Sequence, residues 1–343
     1  MKLSIVIPCY NCKDTIGRLL DSILANGLKK DDYEVIIVDD KSTDGFLDVV
    51  QTYSDKMCII YTETKREVHC PGNTRQCGLP LIRGEWFCFA DNDDMFEDYT
   101  FNAVLKYLEN NPEIDTLCTD FRGYDADKDS FYSEFKREDT DTWLHGKFYR
   151  TQKVLKEFSC HFADDMKTHE DVYFNSWNLA HLIDEGKNYV YLPIFTYRWV
   201  FNPNSLTRKH YLGKHKYAYI DVYMDDYLHS TADPRFEMMK TTTKNETQLW
   251  CLDQIMMTLL HAYFYYQASI YKFGGATDTL DSEYIALKQF KRKIIEETGF
   301  EDNGMINYIY QNPDRYDKVR KHGISGTMPF IETQSFRDFI LNL

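Results

Sequence analysis

The first 120 residues alternate short apolar runs with amphipathic stretches, and this alternation constrains the fold more than any other feature. The runs Leu3–Ile7 and Val35–Val38 are rich in Val and Ile and are short enough to be buried strands. Between them, apolar residues from Ile16 to Leu24 recur at helical spacing, and Gly27 is expected to end that helix. Strands that alternate with helices predict an α/β protein whose mostly parallel sheet is covered by helices on both faces.

The same patterns predict the remaining elements. Strands are expected over 57–61, 85–90, 115–119 and 190–200, and helices over 44–50, 73–82, 98–108, 172–182 and 246–271. Residues 121–150 are rich in Asp, Lys and Tyr, which indicates a loop or an antiparallel insertion. The long helix 246–271 is apolar around much of its circumference and is expected to be the centre of a helical C-terminal region.

Composition excludes several classes of function. A formal net charge of -14 argues against sequence-independent nucleic-acid binding, which needs a basic face. Nine cysteines include a single C-x-x-C, Cys9 and Cys12, so we expect free thiols in a reducing cytosol rather than a zinc site. The short apolar N-terminus lacks the basic region of a signal peptide, and no segment reaches the ~20 apolar residues of a membrane-spanning helix.

Acidic residues follow two of the predicted strands. Asp91 and Asp93 form an Asp-x-Asp directly after a buried strand, and two carboxylates at this spacing can face one divalent ion. Asp39 and Asp40 end another strand, where a carboxylate can accept the N3–H of uracil or a ribose hydroxyl. Solvated turns and helix caps are the structural alternatives for such residues. In parallel sheets ligands bind at the carboxyl ends of the strands, so these groups are expected to share one crevice.

Arg75 begins a helix near the same edge, where its guanidinium suits a base edge or a phosphate, with an ordinary surface arginine as the alternative.

Taken together, these blocks resemble glycosyltransferase family 2. The resemblance is carried, in the family's order, by residues 4–11, 35–44, 72–76, 84–86, 91–94, 146–150, 169–174, 197–198 and 205–208. It covers about the first 210 residues and implies a GT-A fold and an inverting transfer from a nucleotide sugar, commonly a UDP-sugar. It also implies a site in which Asp93 and Asp91 hold Mn²⁺ or Mg²⁺. The positions that match the family's nucleoside-binding residues are Pro8, Tyr10, Asp39, Arg75 and Asp91, with Asp40 as a further candidate.

Inversion requires a base that takes the proton of the acceptor hydroxyl. Asp171 matches the family's catalytic base and begins a helix, whose dipole favours the ionised carboxylate. Its neighbour Glu170 is the alternative base. For both residues the alternative to a catalytic role is a structural one, because acidic residues are common at helix starts. Trp143 and His145 are expected to border the acceptor groove, although core packing is an equal alternative for Trp143.

A closing segment over the leaving diphosphate is expected after the last strand. Its candidate residues are Ser205, Arg208 and His210, with an ordinary basic loop as the alternative.

The sequence therefore predicts a GT-A catalytic domain over 1–215, with nucleotide-sugar binding in 1–98 and the acceptor side in 99–215. A mainly helical region of unknown role, 216–343, follows and is a candidate for homo-oligomer formation.

The predicted function is metal-dependent transfer to a hydroxyl of a glycan, polymer or lipid-linked acceptor, in cell-surface polysaccharide or teichoic-acid-like synthesis. A non-catalytic nucleotide-sugar or glycan binder on the same fold is the alternative. An oxidoreductase is disfavoured because no G-x-G-x-x-G follows the first strand. A cytoplasmic location is expected, with the inner face of the membrane as the alternative.

Overall fold

The first part of the sheet consists of four adjacent parallel strands, and the acidic residues that the sequence places after strands stand at the ends of two of them. A computed structural model of the chain describes residues 1–65, 70–136, 142–163, 166, 169–187, 189–203, 205, 233–273, 280–313 and 333–343. Its first strands are β1 (Leu3–Cys9), β2 (Tyr33–Asp39), β3 (Ile59–Glu63) and β4 (Trp86–Phe89), in the order β3-β2-β1-β4. Every residue of β1 and β2 is buried, as expected for parallel strands covered on both faces.

The sheet continues beyond β4 with mixed pairing. The further strands are β5 (Met95–Phe96), β6 (Thr116–Asp125), β7 (Ser130–Phe135), β8 (Lys147–Arg150) and β9 (Val190–Val200). β8 lies between β4 and β6 and is antiparallel to both. β6 is parallel to β9. β5 pairs antiparallel with β9, and β7 pairs antiparallel with β6. Six of the described strands thus run in one direction, namely β1, β2, β3, β4, β6 and β9. This confirms the predicted mostly parallel sheet. The antiparallel strands β7 and β8 confirm the predicted antiparallel insertion within 121–150.

The helices of this part of the chain are α1 (Ile16–Ala25), α2 (Phe46–Gln51), α3 (Pro71–Gly78), α4 (Phe101–Asn110) and α5 (Glu170–Asp184), with a π-helical segment at Gln152–Glu157. Gly27 follows α1 with a φ of 66°, so the predicted helix end is confirmed. The helix predicted over 73–82 is shorter, because α3 ends at Gly78 and a 3₁₀ turn follows over Leu79–Leu81. Pro80 explains the change, since it has no N–H to continue the helical hydrogen bonding.

The described residues divide into two units, Met1–Asn202 and Pro203–Leu343. In the second unit the described elements are all helices, α6 (Pro234–Thr241), α7 (Asn245–Phe273), α8 (Leu280–Thr298), α9 (Asp302–Gln311) and α10 (Thr333–Asn342). Ile255, Met256 and Leu259 of α7 are fully buried, as its apolar pattern predicts. Among the described residues, no helix combines the length and apolarity needed to cross a bilayer.

Candidate functional site

The carboxyl ends of β2, β1 and β4 are joined by hydrogen bonds between their loops. The side-chain amide of Asn92, after β4, donates to the carbonyl oxygen of Pro8 at 2.9 Å. The backbone N–H of Asp40, after β2, donates to the carbonyl oxygen of Cys9 at 2.8 Å. Three segments far apart in the sequence therefore form one edge of the sheet.

The loop after β1 is held against the loop after β2. Asn11 adopts a φ of 48°, a left-handed conformation that Asn tolerates better than most residues. Its N–H donates to the Ser42 hydroxyl at 2.9 Å, and its Oδ1 accepts from the Thr43 N–H at 2.8 Å. Tyr10, the predicted nucleoside-binding residue of this loop, is half-exposed.

Asp39 and Asp40 have different surroundings at the end of β2. Oδ1 of Asp39 accepts the N–H of Ser42 at 2.9 Å, and its Oδ2 accepts the hydroxyl of Tyr61 at 3.0 Å. The Tyr61 oxygen also lies 3.0 Å from Glu63 Oε1, so two carboxylates share one hydroxyl. Oδ1 of Asp40 accepts the Thr64 hydroxyl at 2.8 Å, which ties this buried carboxylate to the end of β3.

Arg75 of α3 bridges two carboxylates from distant parts of the chain. It is buried, and its Nη1 and Nη2 atoms contact Glu170 and Asp91 respectively. Burial raises the pKa of Asp91, but Arg75 and His145 together outweigh burial and hold that pKa below its usual range. For Glu170 burial prevails and raises the pKa of the carboxyl. Arg75 thus connects the end of β4 to the start of α5.

His145 lies between two of the carboxylates that follow β4. Its Nε2 is 3.6 Å from Asp91 Oδ2 and 3.6 Å from Asp94 Oδ2. Burial opposes the charged imidazolium, but the two carboxylates raise the pKa of His145. Tyr197 of β9 fixes the same group, because its oxygen accepts the Asp91 N–H at 3.0 Å and its hydroxyl donates to Asp94 Oδ2 at 2.7 Å.

Asp93 is held by residues from both sides of the sheet edge. The side-chain amide of Asn202 donates to its Oδ2 at 2.7 Å, and Arg18 of α1 donates to its carbonyl oxygen at 2.6 Å. Burial and the charge of Asp91 raise the pKa of Asp93. A divalent cation would relieve this repulsion between carboxylates.

Two overlapping groups of side chains fit a divalent cation. Among the described residues, ligand atoms of Asp91, Asp94 and His145 lie within 4.8 Å of one another. Both oxygens of Asp94 already accept hydrogen bonds, from the Tyr197 hydroxyl and from the Val200 N–H at 2.8 Å. The second group is the predicted pair Asp91 and Asp93, whose carboxylate oxygens suit Mg²⁺ or Mn²⁺. Asp91 belongs to both groups.

Glu170 and Asp171 begin α5 and point to different partners. Glu170 contacts Arg75, whereas Oδ1 of Asp171 accepts the N–H of Val172 at 2.8 Å. His169 precedes the helix with a φ of 59°, so the chain turns sharply immediately before these two acids. Through Arg75, the start of α5 is linked to the same edge that carries Asp91.

The structure describes both residues predicted for the acceptor side, but only one of the three predicted for the closing segment. Trp143 is half-buried among aromatic rings that include Phe121 and Trp199. His145 lies beside the carboxylates, a position that its sequence context does not indicate. Ser205 lies in the second unit, and Arg208 and His210 lie outside the described residues, so the closing segment stays a prediction.

Sequence reasoning missed two groups that organise this edge, the Tyr197 hydroxyl and the Asn202 amide, and for Asp94 it left open a turn or a role in supporting the metal ligands. Asp94 reads as a turn residue because it ends a run of acids. Tyr197 belongs to a block that resembles the family, which was a usable signal. Nothing in the sequence links Asn202 to Asp93, because their contact depends on β9 ending beside the loop after β4.

Comparison with known proteins identifies a protein family that matches part of the chain. The family model described as "Glycosyl transferase family 2" matches residues 4–171. That segment contains β1 to β4, the acidic residues after β4 and both acids at the start of α5.

Curated relatives match a little over half of the chain. A poly(ribitol-phosphate) beta-glucosyltransferase of Bacillus spizizenii is 42% identical over 205 residues, 56% of this chain and 32% of the relative. The poly(ribitol-phosphate) beta-N-acetylglucosaminyltransferase TarS of Staphylococcus aureus is 28% identical over 204 residues, 55% of this chain and 35% of TarS. The chain thus spans about a third of the length of these relatives.

Solved structures share the fold. Residues 1–349 of S. aureus TarS in complex with UDP superpose with a TM-score of 0.64 and 20% identity, over 97% of this chain and 94% of that one. The same TarS segment in complex with UDP-GlcNAc gives a TM-score of 0.64 at 18% identity, over 97% and 94% of the two chains. The predicted GT-A-type fold is confirmed by this likeness.

Proposed function

Because residues 4–171 belong to glycosyltransferase family 2, we propose that the chain transfers a sugar from a nucleotide diphosphate to a hydroxyl group of a teichoic-acid-like polymer, with inversion at the anomeric carbon. A UDP-sugar is the proposed donor and a poly(ribitol phosphate) chain is the proposed acceptor. The relatives named above act on poly(ribitol phosphate), and the TarS structures contain UDP and UDP-GlcNAc.

The bridge made by Arg75 is the observation that carries this proposal. Through it, the Asp91 carboxylate at the end of β4 is connected to Glu170 at the start of α5, the residue that directly precedes Asp171. An in-line transfer needs one set of groups for the leaving nucleotide and a base for the incoming hydroxyl. The bridge supports assigning the leaving nucleotide to the end of β4 and the base to the start of α5.

The donor side is assigned to the ends of β1, β2 and β4. Asp39 is proposed to accept the imide N–H of the base, and the Ser42 N–H and the Tyr61 hydroxyl orient its carboxylate. Tyr10 would stack on the same base. Asp91 and Asp93 would hold Mn²⁺ or Mg²⁺, which as a Lewis acid offsets the charge that develops on the leaving diphosphate.

Asp171 is the proposed base. The Val172 N–H bonds its Oδ1, which leaves Oδ2 to take the proton of the acceptor hydroxyl. Glu170 has a different assignment, because Arg75 holds its carboxylate.

The test is a panel of nucleotide sugars incubated with the full chain, Mn²⁺ or Mg²⁺, and a synthetic ribitol-phosphate oligomer. We expect release of UDP that depends on both the metal and the oligomer, together with a mass increase of one sugar on the oligomer. UDP binding without turnover under any condition would instead support the alternative, a non-catalytic nucleotide-sugar binder. If neither UDP binding nor turnover is found, the proposal is wrong.

A further inference from the structure

Arg18 of α1 is a half-buried arginine whose charge is not paired with a carboxylate. Among the described residues, no carboxylate oxygen lies within 4.0 Å of its guanidinium nitrogens. The other described arginines that are buried or half-buried all form such ion pairs, namely Arg75, Arg122, Arg150, Arg198 and Arg235. Within this set Arg18 is the exception.

The guanidinium of Arg18 is also short of hydrogen-bond partners. Its Nη2 donates to the carbonyl oxygen of Asp93 at 2.6 Å. Its Nε is buried and has no hydrogen-bond partner in the described part of the chain. An arginine has several N–H donors and a fixed charge, and partial burial without partners is unfavourable for both. Because the side chain is only half-buried, part of it is accessible to an anion that would offset this cost.

Arg18 lies beside the proposed metal site. The carbonyl group that it contacts belongs to Asp93, whose carboxylate is a proposed metal ligand. The charge of Arg18 lowers the pKa of Asp93, although burial and Asp91 raise that pKa more strongly. The hydroxyl of Thr15, which directly precedes α1, lies 3.3 Å from Asn92 Oδ1. The start of α1 is therefore attached to the loop after β4 at two points.

Two other cationic side chains at this edge are already held by carboxylates. Arg75 contacts both Asp91 and Glu170. His145 lies between Asp91 and Asp94. A bound phosphate group brings negative charge that these compensated pairs do not offset. The planar fork of an arginine suits phosphate, because it can donate two parallel N–H bonds to phosphate oxygens.

We therefore propose that Arg18 binds a phosphate group of a substrate. This inference rests on the proposed function, because the proposed nucleotide donor and the proposed poly(ribitol phosphate) acceptor both carry phosphate. The chemistry is the same in the two cases: a pair of phosphate oxygens accepts N–H bonds from the guanidinium. The experiment distinguishes the diphosphate of the donor from the phosphodiester of the acceptor.

The experiment measures binding to the full chain without turnover. Calorimetry with Mn²⁺ present gives Kd for UDP and for uridine, which has no phosphate. Affinity electrophoresis through a gel containing a ribitol-phosphate oligomer gives Kd for the acceptor. In Arg18→Gln, which keeps an amide donor but removes the charge, we expect Kd for a phosphate ligand to rise about tenfold, with Kd for uridine changed less than about twofold.

Two further variants complete the comparison. Arg18→Lys keeps the charge without the fork, so its Kd should lie between those of wild type and Arg18→Gln, and it remains a test if Arg18→Gln does not fold. Arg122→Gln is the matched control, because Arg122 is also half-buried but its partner Glu97 keeps a second cation in Arg198. This control should bind UDP, uridine and the oligomer as wild type does.

The pattern of losses decides the outcome. Weaker binding of UDP with unchanged binding of uridine assigns Arg18 to the donor diphosphate, and weaker binding of the oligomer assigns it to the acceptor phosphodiester. Equal losses for UDP and uridine, wild-type affinity for both phosphate ligands in the Arg18 variants, or no binding of either phosphate ligand by wild type would overturn the inference. Phosphate binding that depends on Arg18 in a chain that transfers no sugar would leave the inference standing and refute the proposed function.

Discussion

Replacing Arg75 with Met should destabilise the first unit strongly. The substitution keeps much of the apolar stem but removes a buried guanidinium that contacts Asp91 and Glu170. Glu170 would then lose its cationic partner, and Asp91 would keep only His145, at 3.6 Å. Removing one partner of a buried ion pair costs about 3–5 kcal/mol, because the remaining charge is uncompensated.

The magnitude translates into a large thermal shift. For a unit of this size each 1 kcal/mol lowers Tm by about 2–4 °C, so a loss of about 3–5 kcal/mol corresponds to a fall on the order of 10 °C. Burial raises the pKa of both carboxyls, and the variant lacks the guanidinium that opposes this effect, so both would take up protons as pH falls and part of the lost stability would return. The difference between wild type and variant should therefore be largest near neutral pH and smaller at pH 5.

Urea unfolding at pH 7.5 and pH 5, followed by far-UV circular dichroism, measures this directly. Lys2→Met is a control, because Lys2 and Glu109 form an ion pair at 2.8 Å in which both side chains are exposed, so no carboxylate is left buried. Arg75→Lys tests geometry, since a lysine retains the charge but cannot bridge both acids with a planar fork. If Arg75→Met lost less than about 1 kcal/mol, or lost more at pH 5 than at pH 7.5, the bridging argument would be refuted.

Three further substitutions test the proposed roles. Asp93→Asn should remove most of the Mn²⁺ stimulation of UDP release, as measured by metal titration; an unchanged metal response would exclude Asp93 as a ligand. Asp171→Asn should lower kcat by ~10²–10⁴ while the Kd for UDP stays within twofold, and substantial residual transfer would point to another base. Tyr61→Phe removes the hydroxyl that orients Asp39, so the donor KM should rise a few-fold with little change in kcat; an equal fall in kcat would contradict a purely positioning role.

Sequence alone was sufficient for the fold class and for most elements of the first unit. The β-branched runs 3–7 and 35–38 and the helical spacing of 16–24 are local patterns, and each corresponds to an observed element. Element ends were less certain, as α3 shows, because Pro80 and a close-packed Gly78 shorten a helix whose apolar pattern continues. The two-residue strand β5 left no periodic signal at all.

The sequence also identified acids at the ends of strands, because strand ends can be read from a local pattern. It could not determine the partners of those acids. Arg75 contacts a residue 95 positions away and His145 lies beside carboxylates more than 50 positions away, and both contacts depend on how the strands are ordered in the sheet. Asn202 reaches Asp93 for the same reason.

Local propensity and hydrophobic periodicity therefore determined which residues form strands and helices, and which acids stand where strands end. Only the tertiary structure decided which charges meet, because long-range pairing brings together side chains whose sequence separation carries no information about distance. The burial of Arg75 between two carboxylates, and the contacts of Tyr197 with Asp91 and Asp94, exist only once the strands and helices that carry these residues are assembled.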